Sequence, residues 1–210
     1  MSTGGHSFEP FIVGIGGTAR ADSTSERALS RALRIAESQG CGSRLFGGEF
    51  LAALPLYVPG RVLRTPGEEE FIDAIRRCHG VIICTPGYHG CISGPVKNAL
   101  DLIEDTSGDD RPYLTDRAFG CLVTAYGWQA CGTTLVSLRL ISHALRAWPT
   151  PFGATLNAST PLFETDGTCI SNQIEKQLAL VVSQVVDFAR WRNGGNSRAL
   201  ITPQQLEAAY

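Results

Sequence analysis

An open parallel β-sheet covered by helices on both faces is the fold class that this sequence predicts. Short apolar runs and helical patterns alternate five times along the chain, the order that builds a parallel sheet from crossover units. One run, Val81-Ile82-Ile83-Cys84, is apolar without interruption, as in a strand buried on both faces. No internal repeat and no second composition regime breaks the alternation. At 210 residues the chain suits a single core. It reads as a leader over 1–9, one α/β domain over 10–192 and a tail over 193–210.

The elements follow in order. Phe11 to Ile15 is a strand that ends in Gly16-Gly17. After a polar stretch, Leu29, Ala32, Leu33 and Ala36 share one helical face. Gly40 to Gly42 stops that helix, and Ser43 to Phe50 is a second strand, followed by a loop around Pro55 and Pro59. Thr65-Pro66-Gly67-Glu68 combines a capping hydroxyl, a first-turn proline and a glutamate three residues on, a strong helix start. The helix buries Phe71, Ile72 and Ile75, and Val81 to Cys84 is the third strand. A helix from about Gly94 to Glu104 and an acidic loop lead to a strand over Phe119 to Thr124. Thr133 to Trp148 is read as the next helix, Phe152 to Thr155 as the fifth strand, and Asn172 to Trp191 as the last long helix. Thr202-Pro203-Gln204-Gln205 offers one more capping pattern in the tail.

Composition removes several classes of function. Hydrophobic residues make up 43% and charged residues 18%, with 23 Gly and 11 Pro, a globular balance. The formal charge of −2 leaves no basic excess for nucleic-acid phosphates. No apolar run approaches a membrane span. Met-Ser-Thr-Gly-Gly-His has neither the basic flank nor the apolar run of a secretory signal. The seven cysteines (41, 78, 84, 91, 121, 131 and 169) are odd in number and contain no Cys-x-x-Cys. Neither a disulfide scaffold nor a zinc ribbon is suggested, and a cytoplasmic protein is expected.

In parallel sheets of this type, ligands bind beyond the C-terminal strand ends. The first such loop carries Gly14-Ile-Gly16-Gly17-Thr18-Ala-Arg20-Ala-Asp-Ser23-Thr-Ser25 and then opens a helix. Free N–H groups and the positive end of the helix dipole favour an anion there. Thr18, Ser23 and Ser25 can donate hydrogen bonds, and Arg20 can grip phosphate oxygens. Two other readings compete. Ser23-x-x-Glu26 is also a capping box. Gly14-x-Gly16-x-x-Ala19 also meets a relaxed dinucleotide fingerprint, although Glu49 lies 30 positions past Ala19 where about 20 is usual.

The second loop runs Thr85-Pro86-Gly87-Tyr88-His89-Gly90-Cys91-Ile92-Ser93-Gly94-Pro95-Val96-Lys97-Asn98-Ala99-Leu100-Asp101. Glycine lets backbone approach a flat ligand, and Tyr88 supplies a face to lie against. Cys84, His89 and Cys91 stand close together, but no fourth ligand has a recognisable spacing and no metal is expected. The third loop, Thr124 to Thr134, holds Tyr126, Gly127, Trp128 and Gly132.

This second loop resembles the Pro-x-Tyr-x-Gly…Gly-x-x-Lys-Asn-x-x-Asp signature of the NAD(P)H-dependent FMN reductase family. The first loop resembles that family's Gly-Ser-x-Arg-x-x-Ser phosphate loop, with Thr18 in place of Ser. Gly87 stands where an acidic residue is frequent, and Val96 where Leu is usual. The resemblance covers roughly residues 10–190. It implies a flavodoxin-like five-stranded sheet in the order 2-1-3-4-5. Thr18, Arg20, Ser23 and Ser25 would then hold FMN phosphate, while Pro86, Gly87, Tyr88, His89, Gly90, Ser93, Tyr126 and Gly127 would border the cofactor.

The implied activity is hydride transfer from NADPH (or NADH) to FMN, then electron transfer to free flavin, a quinone, an azo compound or an oxidised metal species. A flavin carries that chemistry itself, so no catalytic side chain is expected. Backbone N–H groups of the second and third loops are expected to stabilise charge on the ring. The resemblance also implies a homodimer or homotetramer. Rival readings are an electron-transfer flavodoxin with no nicotinamide step and a flavin-free dinucleotide-binding regulator.

Overall fold

The computed structural model describes residues 8–194; most of the expected leader, and the tail with its capping pattern at Thr202, lie outside the described residues. Six strands form one parallel sheet: β1 (Phe11–Gly16), β2 (Gly42–Phe46), β3 (Gly80–Pro86), β4 (Ala118–Ala125), β5 (Trp148–Pro149) and β6 (Ala154–Asn157). The strand order is β2-β1-β3-β4-β5, with β6 also paired to β4. Helices α1 (Thr24–Ser38), α2 (Gly48–Ala53), α3 (Pro66–Arg77), α4 (Gly94–Leu102), α5 (Trp128–Ala144) and α6 (Asn172–Asn193) connect and cover it. A 3₁₀ turn, Ile103–Thr106, prolongs α4.

Side-chain alternation along each strand divides the core in two. Ile12, Ile82 and Leu122 pack with Leu29, Leu33, Leu178, Val181 and Val185 of α1 and α6. Val13, Ile15, Val81, Ile83, Phe119 and Val123 pack on the opposite face with Phe71, Ile75, Val96, Leu100 and Leu138 of α3, α4 and α5. β3 and β4 are buried along their whole length, as their unbroken apolar sequences require.

Three expectations are corrected. The second strand ends at Phe46, not Phe50; the chain then forms α2, for which Gly47 is the N-cap and Leu51 the buried anchor. The helix expected over 133–148 starts at Trp128 and ends at Ala144, because Gly127 adopts the extended cap conformation and Arg146 turns to φ +59°. The single fifth strand is two short ones. β5 pairs with Ala118 and Phe119, and β6 pairs with Leu122 to Ala125. Pro151, which has no N–H, falls between them, and the Phe152 N–H donates to Gln184 Oε1 at 3.0 Å.

The base of the sheet depends on a buried cation. Arg117 is 1% exposed, and its guanidinium donates to backbone carbonyls. Its Nε donates to Cys78 O at 3.1 Å, Nη2 to Arg76 O at 2.8 Å, and Nη1 to Tyr113 O at 2.9 Å and Thr115 O at 3.4 Å. Two of these carbonyls close the C-terminal end of α3, where the helix dipole favours a positive charge. An Arg117→Met substitution keeps the bulk and strands those carbonyls. It is expected to cost about 3 kcal/mol or more and to lower Tm by roughly 6–12 °C, measured by calorimetry.

Candidate functional site

β1, β3 and β4 lie side by side in the middle of the sheet, so the loops that leave their C-terminal ends converge. In the first loop Gly17 turns the chain at φ +117°. Thr18 folds on itself: its Oγ1 accepts from Arg20 N–H at 3.1 Å and donates to Arg20 O at 3.3 Å. Ser23 is the buried N-cap of α1, accepting from Glu26 N–H at 3.3 Å. Asp22, at φ +55°, pairs with Arg27 through Nε at 2.7 Å and Nη2 at 2.5 Å. Hydrogen bonding to Arg27 holds the Asp22 carboxyl below its usual pKa. Arg20 is exposed, and its guanidinium makes no hydrogen bond among the described residues.

The second loop leaves β3 at buried Pro86 and makes a two-residue hairpin. Tyr88 N–H donates to Cys91 O at 2.9 Å, and Cys91 N–H to Tyr88 O at 3.0 Å. His89 (φ +51°) and Gly90 (φ +80°) form its tip, the sign pattern of a type I′ turn. His89, Tyr88 and Cys91 are exposed, whereas Cys84 is buried at the end of β3, so the three potential ligands do not converge. In the third loop Tyr126 is 83% exposed, Trp128 is 64% exposed, and Gly127 starts α5 with no side-chain cap.

Polar residues at the ends of the strands lock these loops together. Thr124, the penultimate residue of β4, accepts from Gly87 N–H through its carbonyl at 2.8 Å. Its Oγ1 lies 3.0 Å from Ser25 Oγ. Thr85 Oγ1 accepts from Ser93 N–H at 2.9 Å, and Gly17 N–H donates to Cys84 O at 3.0 Å. Ser93 Oγ in turn donates to Gly17 O at 3.4 Å. Sequence reasoning missed Thr85 and Thr124. The available signal was a threonine closing each of two otherwise apolar strands.

The predicted phosphate residues therefore divide their work. The Ser25 and Ser23 hydroxyls are committed to Thr124 and to the α1 cap, and Thr18 serves its own turn. Arg20 and the Thr24 and Ser25 N–H groups, which have no intrahelical partner, remain as donors. An anion fits that set. Gly127 and Gly132 have open space where a Cβ would point, and Tyr88, Tyr126 and Trp128 are exposed, features that suit a flat ring. In the second loop the Gly87, Tyr88 and Cys91 N–H groups are occupied by Thr124, Cys91 and Tyr88 carbonyls; the N–H groups of the hairpin tip and of the first turn of α5 remain as donors.

Two surface clefts lie outside the meeting point of the three loops. One of about 340 Å³ runs along Arg27, Arg31 and Arg34 to Asp166 and touches the first loop at Ala21 and Asp22. Another of about 500 Å³ lies among Arg61, Arg64 and Arg76. In both, the arginines stand among carboxylates.

Residues 10–159 match the family model described as NADPH-dependent FMN reductase. No curated protein sequence matches the chain. Among solved structures, the chain is similar to an NADH:FMN oxidoreductase, EMOB, in its apo form (TM-score 0.68, 17% identity, 93% of each chain covered). It is also similar to FerB, a flavoenzyme NAD(P)H:(acceptor) oxidoreductase from Paracoccus denitrificans (TM-score 0.67, 20% identity, 86% of this chain and 97% of that one). RosB with a bound 8-demethyl-8-formylriboflavin-5'-phosphate intermediate superimposes at TM-score 0.73 (14% identity, 95% and 84%). At these identities the likeness is one of fold.

Gly87, which departs from the family pattern, is explained by packing. A Cβ there would stand 2.9 Å from Thr134 Oγ1, 3.1 Å from Ala130 O and 3.2 Å from Ala125 Cβ. The first turns of α5 occupy the space an acidic side chain would need. Gly87→Ala is expected to cost about 1–3 kcal/mol, lowering Tm by several degrees, and to weaken FMN binding in the same protein, read by flavin fluorescence.

Proposed function

The chain belongs to the NADPH-dependent FMN reductase family, and on that premise we propose that its three strand-end loops bind FMN and present it to a nicotinamide donor and a small acceptor. The observation that carries this reading is the locking of all three loops to one another at Thr85, Ser93 and Thr124. When bound, FMN accepts hydride from NADPH and yields electrons to the acceptor. The protein supplies binding, orientation and electrostatics.

Arg20 and the N–H groups that open α1 face the phosphate, with Asp22 and Arg27 bracing the turn between them. The 88–91 hairpin offers the Tyr88 face, its tip closed by two positive-φ residues, His89 and Gly90. The first turn of α5 directs its unused N–H groups and dipole toward negative charge on the ring. Tyr126 and Trp128, both exposed, border the entrance. Open aromatic faces suit a flat acceptor, such as a quinone or free flavin.

Two further features belong to this reading. The outward face of α5 carries Trp128, Val136 and Leu140, all more than half exposed and spaced to share one stripe; a homodimer or homotetramer that covers it would border the same pocket. All seven cysteines are free, and five of them are buried, which suits a reducing cytoplasm. No helix among the described residues is long and apolar enough to cross a membrane.

The purified protein, reconstituted with FMN, is expected to show a flavin visible spectrum that bleaches when NADPH is added without oxygen. A protein that fails to take up FMN, or whose bound flavin stays oxidised with both NADPH and NADH, contradicts the proposal.

A further inference from the structure

The Ser/Thr-x-x-Glu capping signature occurs at the start of α1 and again at the start of α3, and the structure resolves the two differently. At α3 both arms close: Thr65 Oγ1 accepts from Glu68 N–H at 3.3 Å, and Glu68 Oε2 accepts from Thr65 N–H at 2.8 Å. At α1 only the first arm forms. Ser23 Oγ accepts from Glu26 N–H at 3.3 Å, but Glu26 Oε2 accepts from Gly48 N–H of α2 at 2.8 Å. The returning glutamate of a complete box would occupy the Ser23 N–H. Diverted, it leaves that donor without a partner among the described residues, next to the Thr24 and Ser25 N–H groups that a helix start cannot use internally.

Two glycines make the diversion possible. A Cβ on Gly47 would stand 2.9–3.2 Å from the Glu26 carboxylate. One on Gly48 would overlap the Thr18 carbonyl oxygen at 2.2 Å and the Arg20 carbonyl oxygen at 2.8 Å. The start of α2 is thus pressed against the backbone of Thr18 to Arg20, and Glu26 pins it there. A single carboxylate joins the first turn of α1 to the support of the loop that carries Arg20.

Resting on the reading of this loop as the FMN phosphate site, we propose that Glu26 is a positioning residue that makes the site selective for a phosphorylated flavin. It acts in two ways. It leaves the Ser23 N–H open as a phosphate donor. It holds the Thr18–Arg20 backbone against Gly48.

The test compares dissociation constants for FMN and riboflavin, which differ only in the phosphate, by flavin fluorescence on the apoprotein. Wild type is expected to prefer FMN strongly. Glu26→Ala removes the pin. Gly47→Ala displaces the carboxylate by touching only its flexible end, and at φ −87° the backbone accepts alanine. Gly47→Ala, which returns the carboxylate toward the Ser23 N–H, is expected to lower the FMN-to-riboflavin preference by about tenfold, the worth of one hydrogen bond to a charged group; Glu26→Ala, which loses the pin but leaves that N–H open, is expected to lower it by about threefold, and both leave riboflavin affinity unchanged. Glu26→Gln, whose amide oxygen can still accept from Gly48 N–H, is expected to retain the wild-type preference. Unchanged preference in Glu26→Ala and Gly47→Ala, or loss of it in Glu26→Gln, overturns the proposal. A wild type that binds both flavins equally instead overturns the phosphate-site reading, and the proposal with it.

Discussion

The end of β4 is the constraint on which the site depends. Thr124 sits between two loops and binds both, through its carbonyl to Gly87 N–H and through its hydroxyl to Ser25. One strand over, Thr85 ties the two ends of the second loop together by holding Ser93 N–H at the start of α4, and Ser93 Oγ reaches Gly17 O of the first loop. Each threonine is buried, so each hydroxyl has to be satisfied internally. That requirement makes three separate loops one rigid rim. The rim is anchored on β3 and β4, whose burial on both faces leaves them little freedom to shift.

A rim of this kind combines support with contact. The hydroxyls that look most like ligand donors, those of Ser23, Ser25 and Thr18, also serve the architecture. In the proposed site they are joined by Arg20, helix-start N–H groups and exposed aromatic faces. The same economy recurs in the second loop, where the hairpin uses its own N–H groups to hold Tyr88 and His89 outward.

Much of this was legible in the sequence, for identifiable reasons. Unbroken apolar runs such as Val81 to Cys84 signal parallel strands, and the motifs at 17–25 and 86–101 fall where the central strands end. The strand order and the family followed from these. What could not be read depended on contacts distant in sequence. α2 was hidden because Gly47-Gly48 offers no capping side chain, and the helix forms around a Gly48 N–H held by Glu26, 22 residues earlier. The early start of α5 was hidden because Trp128 to Gly132 carries no capping side chain. The roles of the serines were hidden because a hydroxyl near a helix start can serve a phosphate, a cap or a neighbouring strand, and only packing decides. Ser25 went to Thr124, 99 residues away.

The central claim is that these three loops, and not the arginine-lined clefts, receive the cofactor. Amide hydrogen exchange with and without FMN tests it most directly. The account predicts slowed exchange in segments 17–26, 86–93 and 126–131, with the faces of the clefts at Arg34 and Asp166 and at Arg61 and Arg76 unchanged. Protection centred on either cleft, with the three loops exchanging as before, would contradict it.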